Sequence, residues 1–157
     1  MSIIMDVLVI LGSKSDFQVA EKAKAVFEEL GVAHDITIAS AHRTPDRVKE
    51  LVSGSDAKVF IAVAGLSAAL PGVVAAHTLK PVIGVPVSGK VNMDSILSVL
   101  QMPPGIPVGA VGLDNGKNAA LLACAILALS DEGLAEKLAQ YRKKMADKIV
   151  GDAEALR

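Results

Sequence analysis

Short apolar runs alternate with longer amphipathic stretches along the chain, and glycine or proline stands at most of the joints. Continuous apolar runs of this kind are typical of strands that are buried on both faces of a sheet. The runs predict five strands, over residues 6–11, 33–39, 58–64, 81–87 and 106–112. Apolar residues at helical spacing, together with residues that typically begin or end helices, predict six helices between and after these strands. The first three run from Ser15 or Asp16 to Gly31, from Pro45 to Gly54, and up to about His77. The last three cover about 92–101, 115–129 and 131–149.

Strands that alternate with helices through short joints predict a parallel sheet with helices on both faces. We therefore expect one α/β domain over residues 1–157, with a three-layer, flavodoxin-like sheet of five parallel strands. The last helix, about 131–149, follows a complete series of strand–helix units and carries charge around its outer face. It is either ordinary solvated surface or a segment that lies across a neighbouring subunit.

The balance of charged and apolar residues excludes several classes of protein. The chain has 16 basic and 17 acidic side chains, so no overall positive field would recruit nucleic acid. Hydrophobic residues make up 52% of the chain, but no apolar run approaches the ~20 residues of a membrane span, and no leader segment is expected. Cys124 is the only cysteine, so no intrachain disulfide can form. We expect a cytoplasmic protein that binds neither nucleic acid nor membrane.

The first candidate ligand loop follows strand one and reads Gly12-Ser-Lys-Ser-Asp16. Ligands of parallel sheets bind beyond the carboxyl ends of the strands, so this loop is well placed. Its glycine permits close approach of the backbone, its hydroxyls can donate to phosphate oxygens, and Asp16 can accept from sugar hydroxyls. The alternative is that Ser15 or Asp16 only caps the following helix.

The second candidate loop, Ser40-Ala-His-Arg-Thr-Pro45, follows strand two. Arg43 offers a fixed fork of donors that suits phosphate, and imidazole is the side chain that titrates nearest neutrality, which makes His42 a candidate for proton transfer. The alternative is a solvated histidine–arginine pair without a catalytic role. Two adjacent loops that both suit an anionic nucleotide favour the functional interpretation.

The third candidate loop, residues 64–72, is small, neutral and apolar, with one hydroxyl at Ser67. Such a loop can pack its backbone against a ligand and form a dry pocket, or it can simply allow a helix to start close to the sheet. His34, His42, His77 and Cys124 do not have the spacing of metal ligands, so no metal site is predicted.

Seven sequence blocks, in order from about residue 6 to residue 145, resemble the aminoimidazole ribonucleotide (AIR) carboxylase family of purine biosynthesis. The blocks are Gly12-Ser-Lys-Ser-Asp16, Ser40-Ala-His-Arg-Thr-Pro45, Leu70-Pro-Gly72, Pro81-Val-Ile-Gly-Val-Pro-Val87, Asp94-Ser-Ile-Leu-Ser98, Gln101-Met-Pro103 and Asn118-Ala-Ala-Leu-Leu-Ala123. The resemblance implies a three-layer α/β fold, a homo-octamer, and an enzyme that uses no metal and no organic cofactor. The high apolar fraction also favours burial of surface between copies of the chain.

Matching positions carry the functional residues of the family onto this sequence. Ser13, Asp16 and Arg43 correspond to nucleotide-binding residues, and His42 corresponds to the catalytic histidine that transfers a proton. From the same three loops we expect further contacts with the substrate from Ser15, Ser40, Gly65, Ser67, Ala68 and Leu70.

The family includes carboxylases that add CO2 directly to C4 of AIR, and mutases that move a carboxylate from N5 to C4. The mutase pattern in the third loop is Gly-Gly-Ala-Ala-His-Leu-Pro-Gly, and Ala69 stands here in place of its histidine. Small neutral residues suit uncharged CO2 better than a carbamate anion, which needs a charge partner. We therefore expect formation of 4-carboxy-5-aminoimidazole ribonucleotide (CAIR) from AIR and CO2. The alternative is the mutase that uses N5-carboxyaminoimidazole ribonucleotide (N5-CAIR), because most other blocks look mutase-like; a non-catalytic nucleotide-binding module is a distant third.

Overall fold

The computed structural model describes residues 5–156, in which five strands alternate with six α-helices. The strands are β1 (Val7–Leu11), β2 (His34–Ile38), β3 (Val59–Ala64), β4 (Val82–Pro86) and β5 (Gly109–Ala110). The helices are α1 (Phe17–Leu30), α2 (Pro45–Ser53), α3 (Leu70–Ala76), α4 (Asn92–Leu100), α5 (Gly116–Leu127) and α6 (Glu132–Ala155). Short 3-10 turns precede α1 at Lys14–Asp16 and follow α5 at Ala128–Ser130.

All strand pairs are parallel, in the order β2-β1-β3-β4-β5. This confirms the predicted flavodoxin-like sheet. The register pairs Leu11 of β1 with Ile38 of β2 and with Val63 of β3, so the carboxyl ends of these strands lie at one edge. The loops that follow β1, β2 and β3 are thereby brought together at that edge.

The hydrophobic core lies on both faces of the sheet, which is why the central strands are continuously apolar. Alternate residues of β1 point to opposite faces, with Val9 in one cluster and Ile10 in the other. One cluster includes Phe27 of α1 and Tyr141 of α6. The other includes Val48 of α2 together with residues of α3 and α4. Cys124 is fully buried in the first cluster.

The prediction for β5 was too long, since only Gly109–Ala110 of the predicted 106–112 is a strand. β5 is at the edge of the sheet and pairs with β4 alone, and both of its residues are exposed. Pro107 just before it has no N–H to donate, so the ladder does not extend backwards.

Helix α6 is longer than predicted, because it continues past residue 149 to Ala155. Leu134, Tyr141, Met145 and Ile149 form one apolar stripe along α6. Leu134 and Tyr141 are buried, but Met145 is 43% exposed and Ile149 is 68% exposed. The second half of the stripe therefore has no cover within residues 5–156. None of the helices in that range combines the length and the apolar character that a membrane crossing requires.

Helices α1 and α5 approach each other closely at Gly116. A Cβ on Gly116 would overlap the carbonyl oxygen of Val19 and lie 3.0 Å from the carbonyl carbon of Val19. Both are backbone atoms, so neither can move aside like a flexible side chain. Glycine at this position therefore permits the close approach of α5 to the first turn of α1, which follows the loop between β1 and α1.

Candidate active site

The loop between β1 and α1 is folded around the carboxylate of Asp16, which is buried. Its Oδ2 accepts hydrogen bonds from the Ser13 N–H at 3.1 Å and from the Ser13 hydroxyl at 3.3 Å. The hydroxyls of Ser13 and Ser15 are also hydrogen-bonded to each other. Asp16 immediately precedes α1, but its side chain makes no capping bond to that helix. The predicted capping role of Ser15 or Asp16 is thus replaced by a bond back to Ser13, which shapes the loop.

Backbone hydrogen bonds join this first loop to the neighbouring strands. The Gly12 N–H donates to the Val63 carbonyl at 3.0 Å, and the Ala39 N–H donates to the Leu11 carbonyl at 2.9 Å. The first and second candidate loops therefore start from fixed positions at the same edge of the sheet.

Arg43 connects the second loop to the first. Its backbone N–H and its Nε donate to the Ser40 hydroxyl at 3.2 Å and 3.4 Å, and its Nη2 donates to the Gly12 carbonyl at 3.3 Å. Thr44 closes the same turn, since its Oγ1 accepts from the Ser40 N–H at 2.9 Å. The guanidinium is thereby held beside Asp16, where a positive charge can meet an anionic ligand.

The third loop forms another wall and then starts α3. Gly65 and Ser67 lie in this wall, and Leu66 is 72% exposed. The Ala69 N–H donates to the Ser67 carbonyl at 2.6 Å as the chain turns into α3 at Leu70. The loop therefore lines the cavity and also leads into a helix that packs near the sheet.

The three loops and the end of β4 surround one cavity of about 540 Å³. His42 supplies the only imidazole among its lining residues. The lining consists of Gly12, Ser13, Ser15, Asp16, Ser40, Ala41, His42, Arg43, Ala64, Gly65, Leu66, Ser67, Leu70, Val87 and Ser88. Every predicted site residue except Ala68 is in this set.

Ala68 lies outside the lining because its side chain is fully buried in the core on the α2–α4 side of the sheet. Val87 and Ser88, which continue β4 into the cavity, were not among the predicted site residues. The rule that ligands bind beyond the carboxyl ends of parallel strands applies to β4 as well, and the hydroxyl of Ser88 was the available signal.

The electrostatics of the site centre on Asp16. Burial raises the pKa of its carboxyl above the usual 3.8. Hydrogen bonds from Ser13 and the positive charge of Arg43 oppose this shift, and the negative charge of Asp114 adds to it. The cavity thus combines a buried acid, an arginine, several hydroxyls and a histidine, which are the groups needed to bind a sugar phosphate and to move a proton.

Cys124 does not belong to this chemistry, since burial raises the pKa of its thiol to about 11. Among residues 5–156, no group of three histidine, cysteine, aspartate or glutamate side chains is arranged to hold a metal ion.

Comparisons with known proteins find relatives that match nearly the whole chain. The family model for AIR carboxylase matches residues 6–148. The N5-carboxyaminoimidazole ribonucleotide mutase of Methanocaldococcus jannaschii is 54% identical over 96% of this chain and 97% of its own length. The mutase of Escherichia coli is 44% identical over 92% of this chain and 89% of its own length. The crystal structure of Treponema denticola PurE is 34% identical, with a TM-score of 0.88 over 96% of this chain and 98% of that one.

Proposed function

Because the chain belongs to the AIR carboxylase family, we propose that it is an N5-carboxyaminoimidazole ribonucleotide mutase of purine biosynthesis. Relatives from an archaeon and a bacterium, 54% and 44% identical, carry that name. They favour the mutase, the alternative of the sequence analysis, over the direct carboxylation that the third loop suggested. The single observation that carries the proposal for this chain is that His42 shares one cavity with Ser13, Asp16 and Arg43.

The first and second loops would bind the ribose phosphate of the substrate. Arg43 and the hydroxyls of Ser13, Ser15 and Ser40 offer donors to an anionic phosphate, and the Asp16 carboxylate offers an acceptor to sugar hydroxyls. Gly65, Ser67 and Leu70 would form the wall beside the imidazole ring. This arrangement leaves His42 as the group that meets the reacting atoms.

The isomerisation can be written with His42 as its only proton carrier. Protonated His42 gives its proton to N5 as the N5–carboxylate bond breaks, and the electron pair of that bond returns to N5. The released CO2 stays in the cavity, where C4 of the enamine-like ring attacks its carbon and forms the new bond. Neutral His42 then removes the C4 proton, which restores the aromatic ring and returns the histidine to its first state. Because the cavity holds the CO2 next to C4, the carboxylation step becomes effectively unimolecular, which lowers its barrier.

The test supplies two substrates in separate assays. One contains AIR with saturating bicarbonate and carbonic anhydrase, and the other contains N5-CAIR; formation of CAIR is followed by absorbance in both. We expect efficient turnover of N5-CAIR. Efficient carboxylation of AIR with no turnover of N5-CAIR would show that Ala69 identified the branch correctly and that the mutase assignment is wrong.

The variant His42→Asn tests the proton carrier. It keeps a polar side chain of similar size but cannot carry the proton, so turnover should fall by at least about 100-fold, within the range of a lost general acid–base group. Affinity for AIR, measured by calorimetry, should change little. The matched control is His77→Asn, because His77 lines a different cavity with Thr78 and Lys80 and should be silent.

Binding of AIR by the wild type without conversion of either substrate would instead favour the non-catalytic nucleotide-binding module. Near-normal activity of His42→Asn would remove His42 from the mechanism while leaving the family assignment in place.

We further propose that the enzyme is the homo-octamer that the family resemblance implies. Apolar side chains at Met93, Leu97 and Leu100 of α4 and at Met145 and Ile149 of α6 are exposed in the single chain, which supports burial between copies. Light scattering should give a mass of about 130 kDa, eight times the 16.2 kDa of one chain. A fully active monomer would exclude this assembly. The cytoplasmic location stays a prediction.

A further inference from the structure

Asp114, between β5 and α5, has an unusual backbone conformation. Its φ is +55°, and it is the only residue other than glycine with a positive φ among residues 5–156. This region is unfavourable for most side chains, and aspartate and asparagine tolerate it better than others. Such a conformation persists when the surroundings hold it in place.

Asp114 makes three hydrogen bonds, two with the end of β4 and one with α1. Its Oδ1 accepts from the Ser88 N–H at 2.8 Å, and its own N–H donates to the Pro86 carbonyl at 2.8 Å. Its carbonyl oxygen accepts from Lys22 Nζ of α1 at 3.2 Å. Two of these bonds hold Asp114 against the end of β4, where Val87 and Ser88 line the cavity, and the third is an exposed contact with α1 outside the cavity.

The Asp114 carboxylate also acts on the charge of the site. Burial is the main reason that the pKa of Asp16 is raised, and the negative charge of Asp114 adds to this shift while Ser13 and Arg43 oppose it. The side chain that holds the β4 wall is therefore close enough to Asp16 to influence its ionisation.

We propose that Asp114 is a positioning residue of the mutase site, whose carboxylate fixes the Ser88 backbone and so the wall formed by Val87 and Ser88. This inference rests on the proposed function. The wall lies in the same cavity as His42, so a looser wall leaves the imidazole ring and the released CO2 less well aligned. The proposal predicts a loss of turnover that exceeds any loss of nucleotide binding.

The decisive variant is Asp114→Gly, because glycine adopts a positive φ freely and keeps both backbone hydrogen bonds while the bond to Ser88 is lost. We expect kcat for N5-CAIR to fall about tenfold, because a change of this size corresponds to the free energy of one hydrogen bond to a charged acceptor. KM should change less than about twofold. Calorimetry with AIR should still give one site per chain, which separates lost alignment from unfolded protein. Hydrogen exchange at the Ser88 amide should become faster.

Two comparisons complete the test. Asp114→Asn keeps an acceptor oxygen and tolerates the backbone conformation, so it should restore kcat to within about twofold of wild type. It also removes the charge near Asp16, so the affinity for AIR should persist to lower pH than in wild type. Lys22→Met removes the third contact of Asp114, on the exposed surface of α1, and should leave kcat unchanged.

Unchanged kcat and unchanged Ser88 exchange in Asp114→Gly would overturn the proposal, as would an equal loss of kcat in Lys22→Met. If Asp114→Gly gives no folded protein, Asp114→Asn decides: it keeps an acceptor for the Ser88 N–H, so a tenfold loss of kcat in that variant would overturn the proposal. If wild type does not turn over N5-CAIR, the proposed function fails. The Ser88 exchange then decides the role of Asp114 in holding the wall by itself.

Discussion

The contact between α1 and α5 at Gly116 leads to a quantitative prediction for Gly116→Ala. The added methyl group would overlap the Val19 carbonyl oxygen, a backbone atom of α1, so relief requires one helix to move. Overpacking of this kind costs about 1–3 kcal/mol, and a clash with backbone belongs at the upper end of that range. Alanine stabilises the interior of a helix by up to about 1 kcal/mol relative to glycine. Gly116 is the first residue of α5, so little of this stabilisation applies here.

We therefore expect a net loss of about 2–3 kcal/mol in the free energy of unfolding. At about 2–4 °C per kcal/mol for a chain of this size, Tm should fall by about 5–10 °C. Affinity for AIR should also fall, because a displaced α1 moves Ser13 and Asp16. Thermal melts and calorimetry on the same preparations measure both effects.

Gly151→Ala is the matched control, because it makes the same chemical change inside a helix. Among residues 5–156, a Cβ on Gly151 would meet nothing within 4 Å, so only the gain in helix propensity of about 0.5–1 kcal/mol remains. Its Tm should therefore rise slightly. A Gly116→Ala protein that melts within about 2 °C of wild type would refute the reasoning, since the two helices would then not meet at backbone distance.

Three further predictions follow from burial and charge. Because burial raises the pKa of Asp16, the ionised carboxylate destabilises the folded state at neutral pH. Asp16→Asn should therefore raise Tm at neutral pH, while it weakens AIR binding. The gain in Tm should disappear as the pH falls towards 3.8, the pKa of this side chain in the unfolded chain. Cys124, with a pKa of about 11, should resist iodoacetamide in native protein at mildly alkaline pH and react once guanidinium unfolds it. Ile149→Ser should lower the assembled mass in light scattering if α6 lies across a neighbouring subunit, and should leave it unchanged if α6 is plain surface.

The sequence predicts the central strands well because both of their faces are buried, so every residue must be apolar, as in Val59–Ala64. β5 lacks this constraint at the edge of the sheet, and its length was overestimated for that reason. The site was predictable where its residues are contiguous, as in the first two loops. The hydrogen bond from the Ser88 N–H to the Asp114 carboxylate could not be predicted from the sequence. It joins residues 26 positions apart and depends on the positive φ of Asp114, which leaves no pattern in the sequence.

The presence of a single imidazole in the cavity bears on the choice between the two reactions of the family. Direct carboxylation leaves His42 protonated after it takes the C4 proton, so each turnover must end with release of that proton to water. The isomerisation uses the same proton twice, once at N5 and once from C4, and regenerates the starting state inside the cavity. A second proton carrier is therefore dispensable in the mutase reaction. The alanine at position 69 removes the charge partner that the mutase pattern offers the carboxylate, but it does not break the proton cycle of His42. The protonated His42 ring is itself a cation in the same cavity.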